Sequence, residues 1–548
     1  MYGRKRSLAV KAIATKALSL FALLSSELSP NKCRAFSISP TSPPTTARTT
    51  SRKYLNREEV PSGIQHLVLV GGGHGHVQVI KSLHRLARPA NIRITLIDPQ
   101  SSTSYSGMVP GCVSNLYAEK QTMIHLNSLA EWAEIEYLQA AVVDFDPIER
   151  KIYLDVGGDP VGYDAVSFDI GSTTRGFDQT PGATEHTIPT RPISELVKRI
   201  TDDENSLISK LRCGQWMGDC RVVVCGGGAA GIELAMAMRA RWNPIFAGTD
   251  CKLQVTILDS GSELLQTETK PCRDTLKEVL AEREICVKHG ATVKSITATK
   301  VILTNGEEVP KTHCVWATGG GSLPLAGKLG NRGVAVSDRG WIRVGPTLQS
   351  ISHPEIFAAG DCNVIENLPG GKTSPPKAGV YAVRSGPILV ENLIGYLADG
   401  SEADLSQYLP QDDFLKLITC GDGTALGFRF GIPLRGKWVW DLKRRIDTMF
   451  MDLFQTESLP TLKEDSKLDK SQYDASGDRG EPMDPEQAAY LLARTDDEVD
   501  YEKAWDVLRD MMESEKYKEE VLRFTKITPD IGLDPPVPKG KAIIALCA

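Results

Sequence analysis

The chain is predicted to adopt an α/β fold: two parallel-sheet units, a small α+β region behind them and a helical tail. Three observations predict it. One apolar strand runs into a glycine-rich turn at residues 71–76, a strand of valines runs into another at 226–231, and a Thr-to-Gly-Asp stretch ends at Asp361. At 548 residues with 41% apolar content, the chain has room for two or three domains with cores of their own.

The first unit begins with the strand-turn-helix text IQHLVLVGGGHGHVQVIKSL from Ile64. Gly71 allows the tight turn, Gly73 lets a diphosphate approach the backbone, and the amides opening the following helix, near Gly75, face the phosphate charge. His76 stands where the third glycine of a GxGxxG turn belongs, a departure from the usual pattern. The next strand, IRITLIDPQ, ends in Asp98, placed to accept hydrogen bonds from a ribose. In RVVVCGGGAAGIEL the second unit has the full set, Gly226, Gly228 and Gly231, and its next strand, LQVTILD, ends in Asp259. An acid there favours the free ribose 2′-hydroxyl of NAD over the 2′-phosphate of NADP. Both units therefore read as Rossmann-like dinucleotide-binding domains.

Residues 347–361, TLQSISHPEIFAAGD, resemble the second FAD-binding motif of the pyridine nucleotide-disulfide oxidoreductase superfamily. Ala317-Thr318-Gly319-Gly320 and Asp169-Ile170-Gly171-Ser172 resemble its two crossing segments. Within the superfamily, the motifs GGGHGHV (71–77), YSGMVPG (105–111), FDIGS (168–172) and PPKAGVYAVRSGP (375–387) are similar to type II NADH dehydrogenases and, more closely, to the flavoprotein module fused to selenophosphate synthetase. The resemblance implies FAD as cofactor and NADH, or NADPH, as substrate, with the NAD domain inserted in the FAD domain. It implies cofactor contacts at Met108, Gly171, Gly319, Gly360, Asp361 and Ala378 beside the glycine turns. Glu233 would lie near the nicotinamide, and Lys377 at the opening of the helix from about Ala378 would support the reduced flavin. Both are the candidate catalytic residues, although an acid early in a helix also stabilises the helix through its dipole.

The implied boundaries are 61–191 and 323–399 for the FAD domain, 192–322 for the NAD(P)H domain, and 400–455 for a C-terminal interface domain. Residues 456–483 read as an acidic linker. Residues 484–548 read as a helical extension and tail, opened by Asp484-Pro485-Glu486-Gln487 with a cap and a first-turn proline. Residues 1–60 read as an organelle address: residues 1–57 hold eleven Lys or Arg against the single acid Glu27. Arg34-Ala35-Phe36-Ser37 resembles a mitochondrial processing site; a plastid address is the alternative.

The net charge of −6 conceals that basic start and an acidic end, and the middle of the chain is nearly balanced. That speaks against nucleic acid as the main partner. The twelve cysteines form no CxxC pair and no cluster at zinc-ligand spacing, so reduced thiols and no metal are expected. Disulfide reductases of the superfamily carry a CxxxxC pair after the first ribose acid; here there is only Cys112, so a dithiol relay is not expected. The implied function is an FAD-dependent NAD(P)H oxidoreductase that passes electrons to a quinone or another small acceptor. Two alternatives stand beside it. One is a flavin- and NADH-binding regulatory protein like the apoptosis-inducing flavoproteins. The other is a sulfide:quinone oxidoreductase, which would need Cys112, Cys314 or Cys362 to converge. Residues 436–455, with Trp438, Trp440 and Phe450 among Lys437, Lys443, Arg444 and Arg445, could rest on a membrane surface or pack on the FAD domain. A homodimer is also compatible with the sequence.

Overall fold

The structure, a computed structural model, describes residues 63–455 except 217, together with 458, 459 and 462. The expected address, the linker and the helical extension lie outside the described residues.

The first unit follows the order strand, helix, strand: β1 (Gln65–Val70), α1 (His74–Ser82), β2 (Ile92–Ile97), β3 (Glu136–Leu138) and β4 (Ala165–Phe168). The second contains β5 (Ile188–Pro189), α2 (Ile193–Arg212), β6 (Cys220–Cys225), α3 (Ala229–Trp242), β7 (Leu253–Leu258), α4 (Lys270–Glu282), β8 (Ile285–Lys288) and β9 (His313–Trp316). The chain then returns through β10 (Ile356–Ala358) and α5 (Gly379–Asp399). The described part of the chain then runs through the hairpins β11 (Lys416–Thr419), β12 (Ala425–Arg429) and β13 (Ile432–Gly436), followed by α6 (Lys437–Asp452).

The first sheet has the order β10-β4-β1-β2-β3 and the second β5-β9-β6-β7-β8, and all their pairings are parallel. Parallel strands covered on both faces must be apolar throughout, which is why β1 and β6 read as runs of Leu and Val rather than as alternations. Leu67, Val68, Leu69 and Val224 are fully buried. Because β10 joins the first sheet only after the whole second sheet has formed, the second unit is an insertion in the first. The strand β5 pairs in the second sheet, although the expected boundary at 191/192 places it on the first side. A short antiparallel ribbon, Thr173–Thr174 against Gly320–Gly321, ties the two crossing segments together.

Register decides what reaches the carboxyl edge of each sheet. Val70 lies opposite both Ile97 and Phe168, so Gly71, Asp98 and Asp169 emerge side by side. Cys225 lies opposite Leu258 and Trp316, so Gly226, Asp259 and Ala317 do the same in the second sheet. The C-terminal module bridges the two cores: Ile418, Leu426 and Phe428 pack into the second, while Val439, Trp440, Phe450, Met451 and Phe454 pack into the first. Most of the apolar surface of α6 is therefore covered by protein, with Trp438 left 53% exposed. Among the described residues no helix is long and apolar enough to cross a membrane.

Candidate functional site

In the first unit the chain leaves β1 through Gly71 at φ +93°, and a Cβ there would come within 2.4 Å of the Asp169 carbonyl oxygen. Only glycine fits that close approach of the turn to β4. Asp98 anchors the turn from the neighbouring strand: its two carboxylate oxygens accept the amides of Gly72 at 2.6 Å and Gln100 at 2.7 Å. Burial pushes the Asp98 carboxyl up from its ordinary range, and the two amides oppose that shift.

The structure shows how His76 replaces a third glycine. Its ring is fully buried, with Nδ1 2.6 Å from the Gly71 carbonyl and Nε2 2.8 Å from the Ser167 hydroxyl. Burial holds the imidazole down at about 4, so it is neutral, donating through Nδ1 and accepting through Nε2. In the second unit no such device exists. A Cβ at Gly231 would lie 2.0 Å from the Gly226 carbonyl oxygen, so α3 presses directly on its turn.

The remaining expected FAD residues gather at the same edge. Gly360, at φ +67°, turns the chain after β10, and the Asp361 carboxylate accepts the Ser172 hydroxyl at 2.9 Å and the Arg191 guanidinium at 3.2 Å. Gly360, Asp361, Lys377 and Ala378 line one hollow, and Ala378 caps α5. Gly171, at φ +69°, has open space where a Cβ would be. Met108 is 2% exposed and belongs to the first core. Lys377 is half-buried, with its ammonium donating to the Asn363 carbonyl and lying 4.5 Å from the centre of the Trp341 ring. Both contacts are within the protein, and burial lowers its basicity.

In the second unit Gly226 takes φ +127°, and nothing lies within 4 Å of where a Gly228 Cβ would be. The amide end of α3 is thus open in front. Asp259 at the end of β7 is held by the Gly261 amide at 3.2 Å and by His289 Nδ1 at 3.1 Å. Gly319, at φ +94°, turns the crossing back toward the first unit. Glu233 sits one turn into α3, and its carboxylate accepts the Thr419 amide of β11 at 2.7 Å. Burial pushes it up to about 7, with Lys443 as the main opposing charge. Its partners are therefore the C-terminal module, which its position in GIELA alone did not indicate.

The three cysteines singled out in the sequence have different partners. Cys112 is buried with Glu119 and Arg241 as its charged neighbours, and its thiol is pushed up to about 11. Cys362 donates to the carbonyls of Phe168 and Ala359, and burial pushes it up to about 12. Cys314 lies against Cys225, with sulfurs 3.6 Å apart, in a third cluster beneath the second sheet. Among the described residues no two of Cys112, Cys314 and Cys362 have their sulfurs in contact.

The sequence profile of the pyridine nucleotide-disulphide oxidoreductase family matches residues 65–386. The chain belongs to that family. This oxidoreductase is similar to a probable NADH dehydrogenase of Dictyostelium discoideum, 22% identical over 58% of the chain and 70% of the relative. It is similar to the type II NADH:quinone oxidoreductase of Haemophilus influenzae, 22% identical over 58% and 77%. Its fold is similar to NDH2 from Plasmodium falciparum solved in complex with NADH, with a TM-score of 0.61 and 14% identity over 73% of this chain and all of that one. It is an FAD-dependent NAD(P)H oxidoreductase.

The first unit fits FAD at the turn, at Asp98 and at Asp361, with one discord. Asp169, 3% exposed, directs its own carboxylate at the helix end: Oδ2 accepts the amides of Gly75 at 2.8 Å and His76 at 3.2 Å. A Cβ on Gly73 would meet the Asp169 Cγ at 2.2 Å, and one on Gly360 would meet Oδ1 at 2.3 Å. Asp169 is visible in the FDIGS segment but is not among the expected contacts. Comparing FDIGS with WATGG would have found it, since the same register position holds Ala317 in the second unit. His289 was missed as well, because 30 residues separate it from the carboxylate it holds.

Proposed function

We propose that this oxidoreductase takes a hydride from NADH and passes the electrons to a quinone, without a redox disulfide. The observation that carries the reading is the pair of nucleotide turns at the edges of two joined sheets, the second with open amides at Gly228 and a ribose acid at Asp259. The similarity to proteins described as NADH dehydrogenases and as a type II NADH:quinone oxidoreductase supports it.

On this reading the amides after Gly226 hold the NADH diphosphate. Asp259, kept in place by His289 and Gly261, accepts from the ribose hydroxyls and repels a 2′-phosphate by like charge. When bound, FAD supplies the hydride-accepting and electron-releasing chemistry. Hydride plus quinone gives quinol only with one further proton. Glu233, with a carboxyl near 7, takes and gives a proton at neutral pH, and its place between α3 and β11 puts that proton beside the C-terminal module. Anaerobic rapid mixing with NADH, then with a short-chain quinone, tests the reading through flavin absorbance. Fast bleaching followed by quinone-driven reoxidation is expected. Slow bleaching, or reduced flavin that quinone leaves unchanged, would overturn it.

A further inference from the structure

The two glycine turns meet different neighbours at equivalent positions. The residue after β9 is Ala317, and the residue after β4 is Asp169; each lies beside its own turn, with the carbonyl oxygen 2.2 Å and 2.4 Å respectively from where a Cβ on Gly226 and Gly71 would be. In front of α3 the space at Gly228 is open. In front of α1 it holds a carboxylate. The α1 cap residue, Gly73, has no side chain to satisfy the free amides of the first turn, and Asp169 does so from across the sheet edge, at Gly75 and His76. The carboxylate is wedged between Gly73 and Gly360, between the turn expected to take the flavin diphosphate and the Gly-Asp turn expected to take the ribityl chain.

We propose that Asp169 is a resident anion that caps α1 in the diphosphate's place when FAD is absent, and that FAD binding displaces it with uptake of a proton. The amide end of a helix favours negative charge from either source, but two anions cannot share the same two amides. Once displaced, Asp169 remains buried beside the diphosphate and beside Asp361, surroundings that disfavour its ionised form. Burial raises its carboxyl above the ordinary carboxylate range, while His74 and the two amides hold it down. The ionisable groups facing it are His74 from α1, Asp98 from the end of β2, and Asp361 and Cys362 from the turn after β10. Arg191 and Lys377 in turn act on Asp361. His74 adds a buried Nε2 without a hydrogen-bond partner at the same helix end.

The inference rests on FAD binding at the first turn and is independent of the electron acceptor. Full-length protein stripped of flavin is titrated with FAD between pH 6 and pH 8. Affinity is read from the change in flavin fluorescence, and proton uptake from calorimetry in two buffers of different ionisation enthalpy. Wild type should bind more weakly as pH rises, by up to about tenfold per pH unit, while taking up close to one proton. Asp169→Asn keeps an oxygen for the amides, and Asp169→Ala reproduces the residue of the second unit. Both should bind FAD up to about a hundredfold more tightly than wild type at pH 8, with little pH dependence. Equal or weaker binding by both variants, or a pH slope that survives in both, overturns the inference and leaves the FAD assignment standing. No FAD binding by any of the three proteins overturns both.

Discussion

Replacing Lys443 by methionine should destabilise the protein by about 3–5 kcal/mol at neutral pH, the usual cost of leaving a buried charge without its partner. Lys443 and Asp447 lie one turn apart on α6, each side chain 4% exposed, with Nζ 2.7 Å from Oδ2. Lys443 also donates to the Gly107 carbonyl at 2.8 Å, and Asp447 accepts the Tyr117 hydroxyl at 3.0 Å. In the variant the Tyr117 hydroxyl would be the remaining side-chain donor to the carboxylate among the described residues. The alternative is for Asp447 to fold protonated, and from an ordinary value of 3.8 that costs about 4 kcal/mol at pH 7. The two routes agree in size, and the second sets the sign of the pH dependence. A carboxyl raised on folding contributes stability that is present below its unfolded value and lost as pH rises, so the penalty should shrink to roughly 2 kcal/mol at pH 5. The double variant Lys443→Met/Asp447→Leu should recover most of the loss, because a buried pair replaced by apolar groups is often neutral or better. Urea denaturation at pH 5 and pH 7.5, followed by tryptophan and flavin fluorescence, checks all three. A single variant within about 1 kcal/mol of wild type at pH 7.5, or a double variant less stable than the single one, would refute the reasoning.

Gly231→Ala places a Cβ 2.0 Å from the Gly226 carbonyl oxygen, so α3 or its turn must move. An overpacking cost of about 1–3 kcal/mol should raise the KM for NADH roughly five- to a hundredfold while the flavin spectrum stays as in wild type; an unchanged KM counts against the assigned turn. Asp259→Ala should lower kcat/KM for NADH by about ten- to a hundredfold, as expected for lost hydrogen bonds to a charged group, and narrow the preference over NADPH. Steady-state rates with both nucleotides decide it, since an unchanged ratio would mean that Asp259 does not read the ribose. Glu233 is raised from 4.5 to about 7 in the folded protein, so the stability tied to its protonated form is present below about 4.5 and lost as pH rises through about 7. Glu233→Gln should therefore gain on wild type by up to about 3 kcal/mol at pH 8 and by little at pH 5. Paired urea midpoints that differ equally at both pH values would remove burial as the cause.

Features that a short stretch of chain controls are legible in the sequence alone. The valine and leucine runs of β1 and β6 are buried on both faces, and the glycines at the ends of these strands must turn at positive φ. Asp98 and Asp259 are legible for the same reason, each being the first residue after a strand that pairs beside the turn. Contacts set by pairing across large separations are not. Glu233 can be placed on its helix, but its partner amide at Thr419 is 186 residues away, on a hairpin whose glycine turn is legible but whose packing partner is not. The aromatic residues of α6 carry the same text whether they meet lipid or protein. The structure sends Trp440 and Phe450 into the first core, with Phe454 just past the helix, and leaves Trp438 outside.

Asp169 lies between these cases, and it shows what the glycine pattern omits. GxGxxG describes a backbone that exposes amides; it does not say what faces them. That is decided by the first residue after the strand paired on the other side of the turn, a residue about 90 positions away in either unit. Where it is Ala317 the amides are open to an incoming diphosphate. Where it is Asp169 they already hold an anion, and His76, locked between Gly71 and Ser167, keeps the turn in place although its third glycine is missing. The less regular turn is thus the more internally satisfied one. A nucleotide entering there exchanges one set of anion contacts for another, whereas a nucleotide entering at Gly228 makes its contacts anew. The balance of binding at the two turns should therefore depend on one carboxylate more than on the number of glycines.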